Sequence, residues 1–501
     1  MLKIKNIFFD SKTDQSLHQK AIRGSFWVIA LKIIAQIFNF LRLIIIARIL
    51  APGDFGLMGV ALLTMATMET FSQTGFQTAL IQKKEKIEPY LNSVWTISVL
   101  RGFILFIILY FIAPYVAIFF KISMATSIIR TVGLSILLQA FTNIAVVYFQ
   151  KELEFNKQFF YQLSGILADF IVAISVAIIF KSVWALVLGL LAGNFTRLII
   201  SYVIHPYRPR FTLNLKKAKE LFGFGKWVLG SSILIFLITQ GDDIFVGKIL
   251  GITMLGFYQI AYQISNIPAT GITHLISQIT FPIYAKLQDN LFKLKQVYLR
   301  VLRITISLSL PVAGLIFILA HDFTKIFLGE KWMPMVLALQ ILCIFGATRA
   351  INAAMGSVAY GAGKPKIETQ AAFIQLIIMA IVVYPLTIEW GLLGVAIAVT
   401  ISNLLSLILI TNAVKKLIQF QYKDIFINSL AAIIGILTMT SAAFLKKNLL
   451  PAPKNIFDFL AWATLYIIIY LLVVYFVDKK GGGKIRQEIQ IIFANLIKKT
   501  T

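Results

Sequence analysis

A chain of 501 residues that is 59% hydrophobic and 14% charged, with mean hydropathy +0.85, has too little polar surface to cover a water-soluble core of its size. Its formal net charge of +26 does not point to nucleic acid, because the Lys and Arg residues sit mainly in short segments between apolar runs and not on one face of a domain. One cysteine, Cys343, and four scattered histidines exclude a disulfide framework and argue against a Cys/His metal site, so neither metal nor cofactor is expected.

The first 24 residues hold Lys3, Lys5, Lys12, Lys20 and Arg23, with no cleavable apolar region after them, and read as a retained cytoplasmic tail. Apolar runs follow, each long enough to cross roughly 30 Å of hydrocarbon as a helix. They cover residues 25–49, 55–81, 93–120, 128–148, 158–180, 182–204, 227–248, 253–280, 297–320, 334–358, 369–388, 391–413, 425–445 and 456–477. The expected fold is therefore an all-α polytopic membrane protein of about 14 transmembrane helices, with no separate soluble domain. Counting Lys plus Arg on alternate sides gives 30 against 8, which predicts that both termini are cytoplasmic.

The stretch Trp227–Gly256, WVLGSSILIFLITQGDDIFVGKILGITMLG, has a diverged copy 200 positions earlier. Trp27 matches Trp227, Arg48-Ile49-Leu50 matches Lys248-Ile249-Leu250, and Gly56 matches Gly256. A period this long fits a duplicated half-transporter with its substrate site between the halves near mid-membrane. The basic connection 205–226 is the expected linker between an N-lobe (25–204) and a C-lobe (227–413). Six helices per lobe is an even number, so the two lobes form a parallel repeat. The spans in 414–477 are an appendage, and 478–501 a cytoplasmic amphipathic tail suited to an anionic leaflet.

On the first span Lys32, Gln36, Asn39 and Arg42 fall within an arc of about 120°, a polar stripe that lipid would not tolerate. The eighth span repeats the pattern with Gln259, Gln263 and Asn266, continuing through Thr270, Thr273, His274 and Ser277 around Pro268. Glu69, Gln73 and Gln77 recur at i, i+4 and i+8, and Arg101, Asp169, Asn194, Arg197, Arg349 and Asn352 add polar groups on other spans. Two stripes on two lobes point to a shared hydrated cavity; for any single residue, a helix-packing hydrogen bond or a buried ion pair is the competing role. Asp242 and Asp243 are adjacent acids about 100° apart, neutralised by a proton or by a base. Arg42, at the equivalent repeat position, is the expected partner of Asp242, with an ion pair inside one lobe as the alternative. Gly361-Ala-Gly-Lys-Pro365 lacks the first glycine and the Ser/Thr of a phosphate loop, so no ATPase motif and no enzyme is read here.

The segments Arg48-Ile-Leu-Ala-Pro-Gly-Asp-Phe-Gly56, Gly75 with Ala79-Leu-Ile-Gln-Lys83, Asp242-Asp-Ile-Phe-Val-Gly-Lys-Ile-Leu-Gly251 and Gly256-Phe-Tyr-Gln-Ile-Ala-Tyr262 leading to Phe281-Pro282 and Leu287-Gln288-Asp289 carry a resemblance. The chain resembles the polysaccharide transporter family of the multidrug/oligosaccharidyl-lipid/polysaccharide flippase superfamily, O-antigen and colanic-acid exporter type. Relatives often carry a basic residue where this chain has Gln263. The resemblance implies a bacterial inner-membrane flippase that moves an undecaprenyl-pyrophosphate-linked oligosaccharide outward by alternating access, with the bilayer and glycan-assembly proteins as partners. Lys32, Arg42, Arg197 and Arg349 would suit the pyrophosphate, the amide and hydroxyl stripes the sugars, and Glu69, Asp169, Asp242 and Asp243 the coupling or gating. A cation-coupled drug exporter of the same superfamily and a membrane-embedded glycan polymerase or ligase are the alternatives; an acidic, aromatic cavity would mark the first, and the short outer loops disfavour the second.

Overall fold

The computed structural model describes residues 12–83, 85–449 and 451–480, and every regular element among them is helical. The elements are α1 (Lys12–Ile49), α2 (Pro52–Phe71), α3 (Phe76–Gln82), α4 (Glu88–Phe120), α5 (Ala125–Ala140), α6 (Val147–Lys151), α7 (Phe155–Phe180) and α8 (Trp184–Ile204). They continue as α9 (Leu215–Ile249), α10 (Ile252–Ser265), α11 (His274–Leu287), α12 (Leu291–Phe323), α13 (Val336–Gly361), α14 (Lys366–Ile418), α15 (Tyr422–Leu449) and α16 (Ile456–Lys480). The expected tail beyond residue 480 and the first 11 residues lie outside the described residues.

Among the described residues nine helices are long and apolar enough to cross a membrane, or eleven if the bent pairs α2–α3 (54°) and α5–α6 (71°) each count as one span. That measure returns fewer than the 14 crossings expected, for reasons visible in the chain. The 53-residue α14 would be about 80 Å long if straight, far more than one bilayer needs. It is two helices meeting at Gly391, whose φ of 55° and ψ of −129° are not helical. A side chain on Gly394 would fall 1.9 Å from the Leu386 carbonyl oxygen, so the two halves fold back on bare backbone. The eighth expected span is interrupted by a π-helical turn, Pro268–Thr273, between α10 and α11.

Packing divides the chain into two compact units that meet between Gly256 and Phe257. In the first unit α9 packs on α2, α3 and α4. The boundary between the units lies 30 residues beyond the end of the basic connection 205–226. Helix α1 lies on α7 through Trp27 against Phe159 (5.0 Å) and Phe38 against Phe170 (5.1 Å). Helices α7 and α8 approach closely through Gly165, Gly189 and Gly193.

One contact in this unit joins positions that the 200-residue offset relates. A Cβ on Gly56 would lie 1.8 Å from the carbonyl oxygen of Ile252, and a Cβ on Gly256 would lie 2.0 Å from that of Pro52. Ile252 and Pro52 are themselves 200 positions apart, as are the two glycines. The contact is reciprocal, i on j and j on i, as a twofold relation between equivalent segments requires.

In the second unit α12 is the central post for α13, α15 and α16. Tyr298, Leu302 and Phe420 are fully or almost fully buried in one core; Met439, Tyr466 and Tyr470 form another, where the Tyr470 hydroxyl donates to the Ser307 carbonyl at 2.9 Å. Lys295 pairs with Asp424 at 2.9 Å, and the guanidinium of buried Arg303 donates to Asn428 Oδ1. The last two spans are thereby fixed to α12.

Candidate functional site

Helix α1 has three faces. Trp27 and Phe38 meet α7, while Phe26, Ile29, Ile33, Ile37 and Leu41 form an exposed apolar edge. The third face is the expected polar stripe: Gln36 and Asn39 are exposed, Lys32 and Arg42 half-buried. A membrane helix can expose amides away from its apolar edge only where water or a polar ligand receives them.

Arg42 at the end of that stripe is held by α7. Its Nε lies 2.9 Å from Asp169 Oδ2 and its Nη2 donates to Asp169 Oδ1 at 3.1 Å, a two-pronged pair with both side chains about one-fifth exposed. The expected pairing of Arg42 with Asp242 is corrected accordingly. Asp169 reaches Arg42 because the aromatic contacts between α1 and α7 set their register. Asp242 is buried at 2% exposure and accepts the backbone N–H of half-buried Asp243 at 3.0 Å.

Arg197 on α8 lies over Gly165, where a Cβ would come within 2.4 Å of its Nε, and Nη1 donates to Asn194 Oδ1 at 3.1 Å. The missing side chain at Gly189, 2.6 Å from Asp169 Oδ1 if present, makes room for the carboxylate. Arg42, Asp169 and Arg197 thus share one neighbourhood with an excess of one positive charge. Nε of Arg197 and Nδ2 of Asn194 are buried donors without an acceptor among the described residues. Buried donors of this kind favour an acceptor ligand.

Glu69, Gln73, Gln77 and Arg101 also come together, around a pocket of about 380 Å³ at the α2–α3 break. Arg101 donates to the Glu69 carbonyl (3.1 Å) and to Ser72 Oγ (3.0 Å), capping the C-terminus of α2, while Gly75 turns the chain at φ 69°. Broken helix at membrane depth is tolerated where it lines such a cavity.

In the second unit Arg349 Nη1 donates to the Tyr262 hydroxyl at 2.8 Å and to Asn266 Oδ1 at 3.0 Å. Asn266 in turn donates Nδ2 to the Tyr262 carbonyl. Gly346 admits this approach, since a Cβ there would meet the Ser265 carbonyl oxygen at 1.9 Å. Gln259 is half-buried and Gln263 exposed on the same helix. Asn352 donates to the Asn403 carbonyl at 3.4 Å. Tyr262 is a partner that the polar pattern of the sequence does not reveal, because a tyrosine on an apolar helix carries no charge signal. The side chains of Thr273, His274 and Ser277 lie outside the described residues.

A helical bundle whose long apolar helices carry guanidinium-centred polar faces is a polytopic membrane protein with polar groups at membrane depth. Its fold matches the inward closed form of the lipid II flippase MurJ, with TM-score 0.74 and 16% identity over 91% of this chain and 99% of that one. It also matches an inward-facing multidrug resistance MATE family transporter of the MOP superfamily, with TM-score 0.58 and 15% identity over 77% of this chain and 96% of that one. At such identities the likeness concerns the fold alone. Family membership comes from sequence: the chain belongs to the family described as polysaccharide biosynthesis protein, whose model matches residues 45–337. Similar proteins include the lipopolysaccharide biosynthesis protein WzxC of Escherichia coli K12, 26% identical over 78% of this chain and 79% of that one. The teichuronic acid biosynthesis protein TuaB of Bacillus subtilis is 28% identical over 58% of this chain and 60% of that one.

Proposed function

We propose that the protein is a flippase that carries an undecaprenyl-pyrophosphate-linked oligosaccharide across the bacterial cytoplasmic membrane by alternating access, with both termini cytoplasmic. The observation that carries this reading is the exposed polar stripe on α1 ending in the Arg42, Asp169 and Arg197 group. Its spare positive charge and buried donors suit a pyrophosphate, and the amides of Gln36 and Asn39 suit sugar hydroxyls. Arg349 with Asn266 is a second cationic group of the same kind. The names of two similar proteins, which speak of lipopolysaccharide and teichuronic acid biosynthesis, support the same reading, while the fold is shared with a multidrug transporter and suits either. A cation-coupled drug exporter would favour an acidic, aromatic lining, whereas the cations named here outnumber the acids beside them.

The residues assigned to substrate are Lys32, Gln36, Asn39, Arg42, Arg197, Gln259, Gln263, Asn266 and Arg349; those assigned to coupling or gating are Glu69, Asp169, Asp242 and Asp243. The test is a chromosomal deletion complemented with Lys32→Gln or Arg197→Gln. Both variants should insert normally yet leave lipid-linked oligosaccharide on the cytoplasmic leaflet. Normal surface glycan from both would reduce the stripe to helix packing.

A further inference from the structure

Away from the polar stripe, the last turns of α8 and the end of α5 enclose a groove of about 590 Å³ lined by Phe141, Leu198, Ile199, Tyr202, Val203 and Arg208. Its walls are apolar and open outward: Val203 is 72% and Ile199 47% exposed. The floor is fixed, because the Tyr202 hydroxyl donates to the Phe141 carbonyl at 2.8 Å. Apolar side chains so exposed at the end of a membrane-spanning helix face acyl chains.

The rim of the groove carries an arginine that the chain holds in place. Arg208 Nη1 donates to the carbonyls of His205 (2.8 Å) and Tyr207 (3.0 Å), and its guanidinium lies 5.8 Å from the centre of the Tyr202 ring. No carboxylate pairs with it among the described residues, and Glu154, which acts on the adjacent His205, is engaged by Lys157 at 2.7 Å.

The segment that bears Arg208 is itself strapped down. Backbone N–H groups of Arg210, Thr212 and Asn214 donate to Asn92 Oδ1 (2.9 Å), Thr96 Oγ1 (3.1 Å) and Ser93 Oγ (3.1 Å) on α4. Asn143 Nδ2 donates to the Tyr207 carbonyl at 2.7 Å, and Phe211 packs on Trp95 at 4.8 Å. A guanidinium ordered in advance binds an anion without the cost of ordering a loop.

We infer that this groove binds one anionic glycerophospholipid of the leaflet on the 205–226 side, its phosphate on the free edge of Arg208 and an acyl chain along Leu198, Ile199 and Val203. Planar guanidinium matches phosphate with two parallel hydrogen bonds, and interfacial basic residues favour anionic headgroups. A glycan-bearing lipid fits poorly, because the lining offers no amide or carboxylate for sugars and the Tyr202 hydroxyl is already committed. The site would anchor the inter-lobe connection to the bilayer.

The test uses the full-length protein in nanodiscs of phosphatidylcholine with a minor fraction of phosphatidylglycerol, retained lipid being counted by native mass spectrometry. Wild type should retain one phosphatidylglycerol in preference to phosphatidylcholine. Arg208→Gln, and independently Val203→Trp, which fills the groove and leaves the headgroup end intact, should each lower that preference by roughly tenfold. Arg210→Gln should not. Absence of a preference in wild type, or its survival in both groove variants, would overturn the assignment. So would equal stabilisation by inorganic phosphate alone, which would mean an anion site without lipid, or stronger retention of undecaprenyl phosphate, which would mean a carrier site.

Discussion

Replacing Gly56 by alanine adds one methyl group where the backbone leaves no room for it. Its Cβ would sit 1.8 Å from the Ile252 carbonyl oxygen, while ordinary contact begins at 3.4 Å, so α2 and the start of α10 must part by about 1.6 Å. Within a helix alanine is intrinsically better than glycine by about 0.5–1 kcal/mol, so any loss arises from the collision. Overpacking of this kind costs about 1–3 kcal/mol, equivalent to roughly a 5- to 150-fold shift toward a form with the crossing open. The assay is the rate at which a membrane-impermeant maleimide labels Leu255→Cys, a position with 0% exposure, in a Cys343→Ser background. Gly56→Ala should raise that rate within the stated range. Gly256→Ala should match it, because its Cβ meets the Pro52 carbonyl oxygen at 2.0 Å. Gly53→Ala is the control: its Cβ would lie 3.5 Å from Thr253 Oγ1, an ordinary contact, and the rate should not change. Well-expressed Gly56→Ala and Gly256→Ala proteins with unaltered labelling would refute the idea that this crossing is a tight, closed contact.

Asp169→Asn should loosen Arg42 at a cost between the ~1 kcal/mol of an exposed pair and the 3–5 kcal/mol of a buried one, and should impair transport; a thermal melt in detergent with a transport assay checks both. Tyr262→Phe removes one of two acceptors of Arg349 and should cost about 1 kcal/mol, whereas Asn266→Leu should cost more because it removes the other acceptor and also the Asn266 Nδ2 bond to the Tyr262 carbonyl; melting of the two variants decides the order. His205 is kept below its usual value first by burial and then by Lys157, and its Nδ1 accepts the Tyr207 N–H at 3.2 Å. Its depressed affinity for the proton gives the strap a stability that is complete above pH of about 6.5 and is lost as the pH falls below it. A spin label at Arg210→Cys should accordingly gain mobility on acidification in the parent protein and not in His205→Gln; a flat response in the parent would count against it.

Much of this was legible in the sequence because it depends on local pattern. The polar stripe of α1 needs only helical periodicity, and the 200-residue offset that matched Gly56 to Gly256 reappears as a reciprocal backbone contact. Pairings between distant helices were not legible. Arg42 finds Asp169, 127 residues away, because Trp27 and Phe38 dock α1 on α7, a register that no periodicity encodes. The repeat suggested Asp242 instead, since equivalent positions are related by symmetry without having to touch. The same limit hid Tyr262 beside Arg349 and the strap of 207–214 on α4: neutral hydroxyls, amides and backbone N–H groups carry the contacts there. Helix breaks were half visible: Gly391 divides two expected spans, whereas the π turn at Pro268 needs the backbone itself.

The most direct measurement is translocation by the purified protein in liposomes loaded with an undecaprenyl-pyrophosphate-linked oligosaccharide, read as the fraction of glycan captured by an external lectin over time. The flippase account predicts capture that depends on the protein, falls strongly in Arg197→Gln and Lys32→Gln, and is unaffected by ethidium. Failure to expose any glycan, together with ethidium export driven by a proton or sodium gradient in the same vesicles, would contradict it and assign the polar stripe to a drug exporter.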